Sequence, residues 1–119
     1  MALQQLTFTV HDPEGRAQRV LFTVDPGTAT GELVLTGDGG ATTQHRLTTL
    51  QKSQDGKRLT CQVNVATATL SIVDTESPPR LHIVARLFFP VLDMSYTLSR
   101  AEQERLVAWI QTLELAIVS

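Results

Sequence analysis

Apolar and polar residues alternate in short runs from Leu3 to about Phe89. Such alternation gives each strand one buried and one wetted face, which is typical of antiparallel sheets. Turn residues recur at intervals too short for crossover helices, so neighbouring strands should pair as a meander. The pattern predicts six or seven strands. The clearest strand carries inward residues at Leu81, Ile83, Ala85, Leu87 and Phe89.

The last part of the chain changes to a helical period. Ser99 and Glu102 have the spacing of a capping box, in which each side chain bonds the backbone N–H of the other residue. Beyond them, one helical stripe is apolar and consists of Leu106, Trp109, Ile110, Leu113, Ala116 and Ile117. We therefore predict a helix over about residues 99–117 that covers the apolar face of the sheet.

These elements define the expected fold class, which is mainly β. We expect a six- to seven-stranded antiparallel barrel or meander packed against one C-terminal α-helix. The 119 residues correspond to one domain, 1–119, with no linker or repeat. A hydrophobic fraction of 42% agrees with an ordered protein that needs no disulfide to fold.

Charge and hydropathy exclude several classes of function. The net charge is −2 and the Lys and Arg residues are scattered, so the basic footprint of a nucleic-acid-binding protein is missing. No apolar run is long enough for a membrane span, and the N-terminus lacks the features of a signal peptide. We therefore expect a cytoplasmic protein without a membrane span.

Candidate catalytic and metal-binding residues have no recognisable partners in the sequence. His11, His45 and His82 lack the spacing of metal ligands and are interpreted as surface or strand-edge imidazoles. Cys61 lies on the buried side of its strand, where a thiol packs as a small hydrophobe. Gly37–Gly40 lacks the lysine and the helix of a phosphate-binding loop. We predict no enzyme activity, no metal and no cofactor.

Three arginines are candidates for binding an anionic ligand. Arg16 and Arg19 flank the start of the second strand, and Arg86 projects from the polar side of the seventh. Guanidinium groups at a barrel rim can hold phosphate or carboxylate groups. The alternative interpretation is that all three are simply solvated.

Surplus apolar residues indicate a second candidate surface. Val84 and Phe88 lie opposite the buried face of their strand, and Val107, Leu115 and Val118 lie off the main helix stripe. Exposed apolar patches commonly mark partner or subunit contacts. Alternatively, the segment after Phe88 covers Val84 and Phe88.

The strand ending near Phe88, followed by Leu98–Ile110, resembles the end of PilZ domains. In that family a last strand leads to a helix that packs on a six-stranded barrel. Members that bind cyclic di-guanylate carry an RxxxR motif and a (D/N)xSxxG motif. Here Arg16 and Arg19 are one residue too close, and Gly37–Gly40 lacks the Ser, so the resemblance implies a degenerate member. A pleckstrin-homology-like barrel with a C-terminal helix fits the elements equally well.

Our leading hypothesis from the sequence is a non-catalytic binding or regulatory module that acts through protein contacts, as a homo-oligomer. The alternative is a receptor for a small anionic ligand such as a nucleotide. The third hypothesis, an enzyme, is the least favoured, because no acid, base or nucleophile has an identifiable partner.

Overall fold

Strands account for most of the chain. A computed structural model describes residues 3–87 and 90–118, with the backbone alone for residues 90, 91 and 118. The elements are β1 (Gln4–His11), β2 (Ala17–Asp25), β3 (Thr30–Gly37), β4 (Thr42–Ser53), β5 (Arg58–Val63), β6 (Ala66–Val73), β7 (Arg80–Arg86), β8 (Pro90–Thr97), α1 (Arg100–Thr112) and β9 (Ala116–Val118). From β1 to β8 each strand pairs antiparallel with the next, which confirms the mainly β fold.

The meander closes into a barrel through a short seam. β8 returns to β1 at one pair, in which His11 stands opposite Thr97. The result is a barrel of eight antiparallel strands, whereas the sequence predicted six or seven. The missed strand is β8. It begins at Pro90, and in the sequence a proline at this position suggests that a strand ends there. The alternation from Leu92 to Tyr96 was nevertheless a readable signal.

A bulge in β4 changes which of its residues face the interior. Thr49 and Leu50 together stand opposite the single residue Cys61, and Thr49 has a φ of 54°. A bulge of this kind inserts one residue and bends the strand. Before it the inward residue is Leu47, and after it Leu50 and Lys52 face inward. The bulge therefore aims Lys52 at the helix.

Helix α1 begins as the sequence predicts and ends earlier. The Ser99 hydroxyl caps it by accepting from the backbone N–H of Glu102 at 3.1 Å. The predicted helix to about residue 117 is wrong, because α1 ends at Thr112 and the chain then forms β9, parallel to β4. Ile117, expected on the buried stripe, is 58% exposed in β9.

Lys52 stabilises the end of helix α1 at Thr112. Its ammonium group donates to the backbone carbonyls of Gln111 at 2.9 Å and Leu113 at 2.5 Å, with a longer contact to that of Ile110 at 3.5 Å. The last carbonyls of a helix have no intrahelical partner, and a cation there also interacts favourably with the helix dipole. One side chain from the barrel thus fixes the end of α1.

The start of the helix completes the edge of β1 that β8 does not reach. Glu102 accepts a hydrogen bond from the backbone N–H of Thr9 at 2.8 Å. Arg105 donates to the backbone carbonyl of Thr7 at 3.3 Å and pairs with Glu102 at 2.5 Å. The Glu102 carboxylate therefore bonds Thr9 rather than Ser99, so the predicted capping box is made in one direction only. Side chains of α1 take the place of a neighbouring strand.

The core lies between the strands and α1. Its most deeply buried large residues are Phe8, Phe22, Leu50, Leu59, Leu81, Leu98, Leu106, Ile110 and Leu113. Trp109 packs edge-on against Phe22, with 5.3 Å between ring centroids. Full burial of such side chains contributes roughly 1.5–3 kcal/mol each. The β4–β5 turn packs closely under the helix because it has a glycine at position 56. A side chain at Gly56 would meet Gln111 and the carbonyl of Val107.

Candidate functional site: an apolar cavity in the barrel

Short side chains line one row across three strands. Cys61, Ala68 and Ala85 stand opposite one another on β5, β6 and β7, and Leu92 of β8 continues the row. We call Cys61, Ala68 and Ala85 the small-residue row. The adjacent inward row is larger and consists of Leu59, Leu70, Ile83 and Met94. Because an eight-stranded barrel has just enough interior for side chains to fill, short residues in one row leave space.

That space is a cavity of about 60 Å³. It is smaller than the roughly 150 Å³ apolar cavity that admits benzene, so it suits a guest smaller than an aromatic ring, such as a xenon atom. Its lining consists mainly of apolar side chains: Phe22, Leu33, His45, Leu47, Leu50, Leu59, Cys61, Val63, Ala68, Thr69, Leu70, Ile83, Ala85, Leu92 and Met94. Cavities with such linings remain dry and accept small apolar molecules.

The cavity lies toward the end of the barrel opposite the helix. Helix α1 contacts the β4–β5 turn through Gln111 and the β6–β7 loop through Arg100. The β5–β6 turn, at the other end, carries Val65, which is 81% exposed. Val65 is exposed because the chain turns at Asn64, which has a φ of 57°. Leu87, just after β7, is 46% exposed at the same end.

Cys61 contributes volume rather than reactivity to the cavity. Burial raises the pKa of its thiol to about 11. At neutral pH the group is therefore a thiol, whereas the thiolate is the nucleophilic form. This agrees with the packing role that the sequence indicated for Cys61.

His45 contributes to the cavity wall. It lies on β4 opposite Leu33 of β3, both residues line the cavity, and His45 is half-buried. It is therefore a partly exposed imidazole that also contacts the cavity, which was not predicted from the sequence. A neighbouring inward residue, Leu47, was the available signal, since residues two apart on a strand share a face.

His82 has a carboxylate partner that the sequence did not reveal. Its Nε2 atom lies 2.7 Å from Asp93 Oδ1 across β7 and β8. Ser95 is opposite His82 in the pairing, but its hydroxyl accepts from Arg80 at 2.5 and 3.1 Å. Both members of the His82–Asp93 pair are substantially exposed. The described hydrogen bonds thus give a surface network, with no link from Ser95 to His82 that would form a catalytic triad.

The three candidate arginines have different surroundings. Arg16 pairs with Asp12 at 3.2 Å and Glu14 at 3.0 Å within the β1–β2 turn. Arg19 is exposed on β2, and Arg86 is exposed at the end of β7. Among the described residues, no shared hydrogen-bonding partner joins the three guanidinium groups. Binding of an anionic ligand by them stays a prediction.

The residues of the predicted partner surface lie in different environments. Leu115 is 9% exposed and belongs to the core, so its predicted role at an interface is wrong. Val107 is half-buried and packs against the core, while half-buried Val84 stands between Thr69 and Asp93. Phe88 and the side chain of Val118 lie outside the described residues.

Two further observations concern the residues 3–87 and 90–118. No helix in these ranges is long and apolar enough to cross a membrane. In the same ranges no three His, Cys, Asp or Glu residues are grouped so that they could hold a metal ion.

Comparisons with known proteins leave the site to be interpreted from its own geometry. No protein-family model matches the chain, and neither the curated proteins nor the solved structures include a match. The resemblance to PilZ domains therefore stays a prediction.

Proposed function

We propose that the protein is a binding module whose barrel takes up a small apolar molecule. The observation that carries the proposal is the cavity of about 60 Å³ behind the small-residue row. Interiors of folded proteins are normally packed to the density of organic crystals, so an apolar space of about 60 Å³ is a specific feature. Eight-stranded barrels are also a common architecture for holding one small ligand.

The proposed site reaches solvent at the end of the barrel away from the helix. Cys61, Val63 and Leu92 line the cavity and are only half-buried. Exposed Val65 follows Val63 in the β5–β6 turn. An apolar ligand would therefore pass over apolar side chains as it leaves water, which lowers the cost of transfer.

The experiment is a titration with xenon, followed by thermal unfolding. Ligand at ten times its Kd should stabilise the folded protein by about 1.4 kcal/mol and raise the Tm by several degrees. The variant Ala85→Leu fills the cavity and should lose this response. The control Ala108→Leu adds the same side chain at an exposed position on α1 and should keep it.

A second variant guards against misfolding of the first. Ala68→Val adds less volume in the same row and should weaken xenon binding without abolishing it. NMR shifts of the Ala68 and Ala85 methyl groups on addition of xenon would locate the ligand. No rise in Tm together with unchanged methyl shifts would overturn the proposal.

A second candidate function is self-association, which continues the leading hypothesis from the sequence. β9 pairs with β4 along one edge and is the last strand in the sheet order of the described residues. Its Ile117 is 58% exposed. Edge strands with exposed apolar residues favour pairing with another chain, and two copies of β9 could pair about a two-fold axis.

Sedimentation velocity over a wide concentration range tests this second candidate. We expect a dimer for the native protein and a monomer for Ile117→Lys. The control Val65→Lys places the same charge at another exposed apolar position and should leave the dimer intact. A native protein that is monomeric at every concentration would overturn it.

A further inference from the structure

Strand β8 has a backbone edge that no strand covers in the ranges 3–87 and 90–118. It pairs with β7 along its length but meets β1 at Thr97 alone. β1 does not continue past this pair, because the chain turns back after His11, where the N–H of Asp12 donates to the carbonyl of Arg16 at 3.0 Å. The part of β8 before Thr97 therefore extends beyond the end of β1.

The pairing of β8 with β7 shows which backbone groups point to this edge. The N–H of Leu98 donates to the carbonyl of Pro79 at 2.9 Å, on the β7 side. Residues of an antiparallel strand direct their backbone groups alternately to one neighbour and to the other. The even-numbered residues of β8 therefore bond β7, whereas Asp93 and Ser95 direct their N–H and C=O groups to the open edge. Such groups are a template for an added strand.

The side chains along the edge define the chemistry of a strand that fits it. Leu92 and Met94 face the interior, and both are half-buried beside the cavity. Every second side chain of an added strand would lie next to them, where an apolar group is favoured. On the outer face, the side chain of Asp93 is 62% exposed. Its carboxylate favours a basic side chain at the facing position.

A second copy of β8 fits this edge less well than a basic strand. Two β8 strands paired about a two-fold axis would place their Asp93 carboxylates on one face, directly opposite or diagonal to each other. Like charges at such positions are unfavourable.

We propose that β8 is a site of strand addition for an extended peptide of another protein, in which apolar residues alternate with polar ones and a lysine or arginine lies opposite Asp93. The site lies outside the cavity and does not depend on the proposed function.

The test is an NMR titration of the native protein with a short, end-blocked peptide of alternating valine and lysine. Hydrogen exchange at the Asp93 and Ser95 amides should slow about tenfold or more at saturation, because the added strand accepts hydrogen bonds from them. The same peptide with backbone N-methyl groups on its lysines keeps the charge but cannot donate to the edge, and it should not bind.

A charge reversal separates this site from general attraction of a basic peptide. Asp93→Lys should weaken binding of the lysine peptide about tenfold and favour the corresponding valine–glutamate peptide. Asp38→Lys makes the same change at an exposed position in the β3–β4 turn and should leave both affinities nearly unchanged.

Three results would overturn the inference. The first is unchanged exchange at the Asp93 and Ser95 amides at the highest peptide concentration, and the second is an equal effect of Asp93→Lys and Asp38→Lys. The third is protection of the two amides in the protein alone that disappears on dilution, which would identify a second copy as the occupant. The xenon titration reports on the cavity and is independent of all three.

Discussion

The two ends of the barrel are built by different means. At the helix end, large side chains fill the interior and directed polar contacts fix the cover, notably those of Lys52 and Glu102. At the other end, strand pairing alone holds a row that includes Ala68 and Ala85. Backbone hydrogen bonds keep a barrel wall together whatever the side-chain volume, so packing can be relaxed at one end without loss of the fold.

The largest expected effect comes from making the same truncation at both ends. Leu106→Ala removes a fully buried side chain from the barrel-facing side of α1 and should lower the free energy of unfolding by about 3–5 kcal/mol. Leu92→Ala removes a half-buried side chain beside an existing cavity and should cost only about 1–2 kcal/mol. Urea unfolding measures both values. Equal losses would show that the two ends are packed alike.

Lysine substitutions distinguish a structural cation from a surface one. Lys52→Met leaves helix carbonyls without their ammonium partner and should cost about 1–3 kcal/mol. The control Lys57→Met breaks a partly exposed ion pair with Asp74, 2.8 Å long, and should cost less than about 1 kcal/mol. The difference in Tm between the two variants is the measurement. A Lys52→Met loss no larger than that of Lys57→Met would contradict the assigned role.

The contact between α1 and the open edge of β1 should have a smaller effect. Glu102→Ala frees the backbone N–H of Thr9 and should cost about 1–2 kcal/mol. Glu104→Ala, an exposed change on the same helix, should stay within about 0.5 kcal/mol. Hydrogen exchange at the Thr9 amide should accelerate in the first variant alone. Unchanged exchange at Thr9 would show that the edge is protected by another group.

The smallest expected effect is a pH dependence at the turn below the helix. A hydrogen bond from the Ser53 hydroxyl, joined by the backbone N–H of Lys57, holds the pKa of Asp55 below its ordinary value. Since the folded pKa is the lower one, the stabilisation is present above the unfolded pKa of about 3.9 and is lost as the pH falls through the folded value.

Asp55→Asn should therefore destabilise the protein at pH 7 and flatten its loss of stability below about pH 4. Asp12 and Asp74 also have lowered pKa values, and they are present in both proteins compared. Asp38→Asn, in the β3–β4 turn at the other end, is the matched control. Thermal unfolding between pH 2 and 7 checks the prediction, which an unchanged slope would contradict.

Period-two alternation was sufficient to predict most of the barrel strands and the mainly β class, and the spacing of Ser99 and Glu102 predicted the start of the helix. It was insufficient at β4, where Leu47 and Leu50 are three residues apart. That spacing fits neither face of a regular strand and was the signal of the bulge. The helix was predicted too long because the contacts of Lys52 with its end come from a residue far away in the sequence.

The cavity could not be predicted from any one strand. An inward alanine is unremarkable by itself, and the space arises because Cys61, Ala68 and Ala85 fall opposite one another. That coincidence depends on the pairing register, which the turns and the bulge determine together. His45 became a site residue for the same reason, since its apolar surroundings are supplied by other strands.

The bonds that complete β1 also bear on how the chain is made. Thr9 and Glu102 are 93 positions apart, and Thr7 and Arg105 are 98 apart. A ribosome that synthesises the chain from its N-terminus releases the outer edge of β1 long before α1 exists. Unpaired strand edges on incomplete chains attract other chains. Nascent molecules are therefore exposed to aggregation until the final helix emerges, and a chain shortened before α1 should aggregate rather than refold.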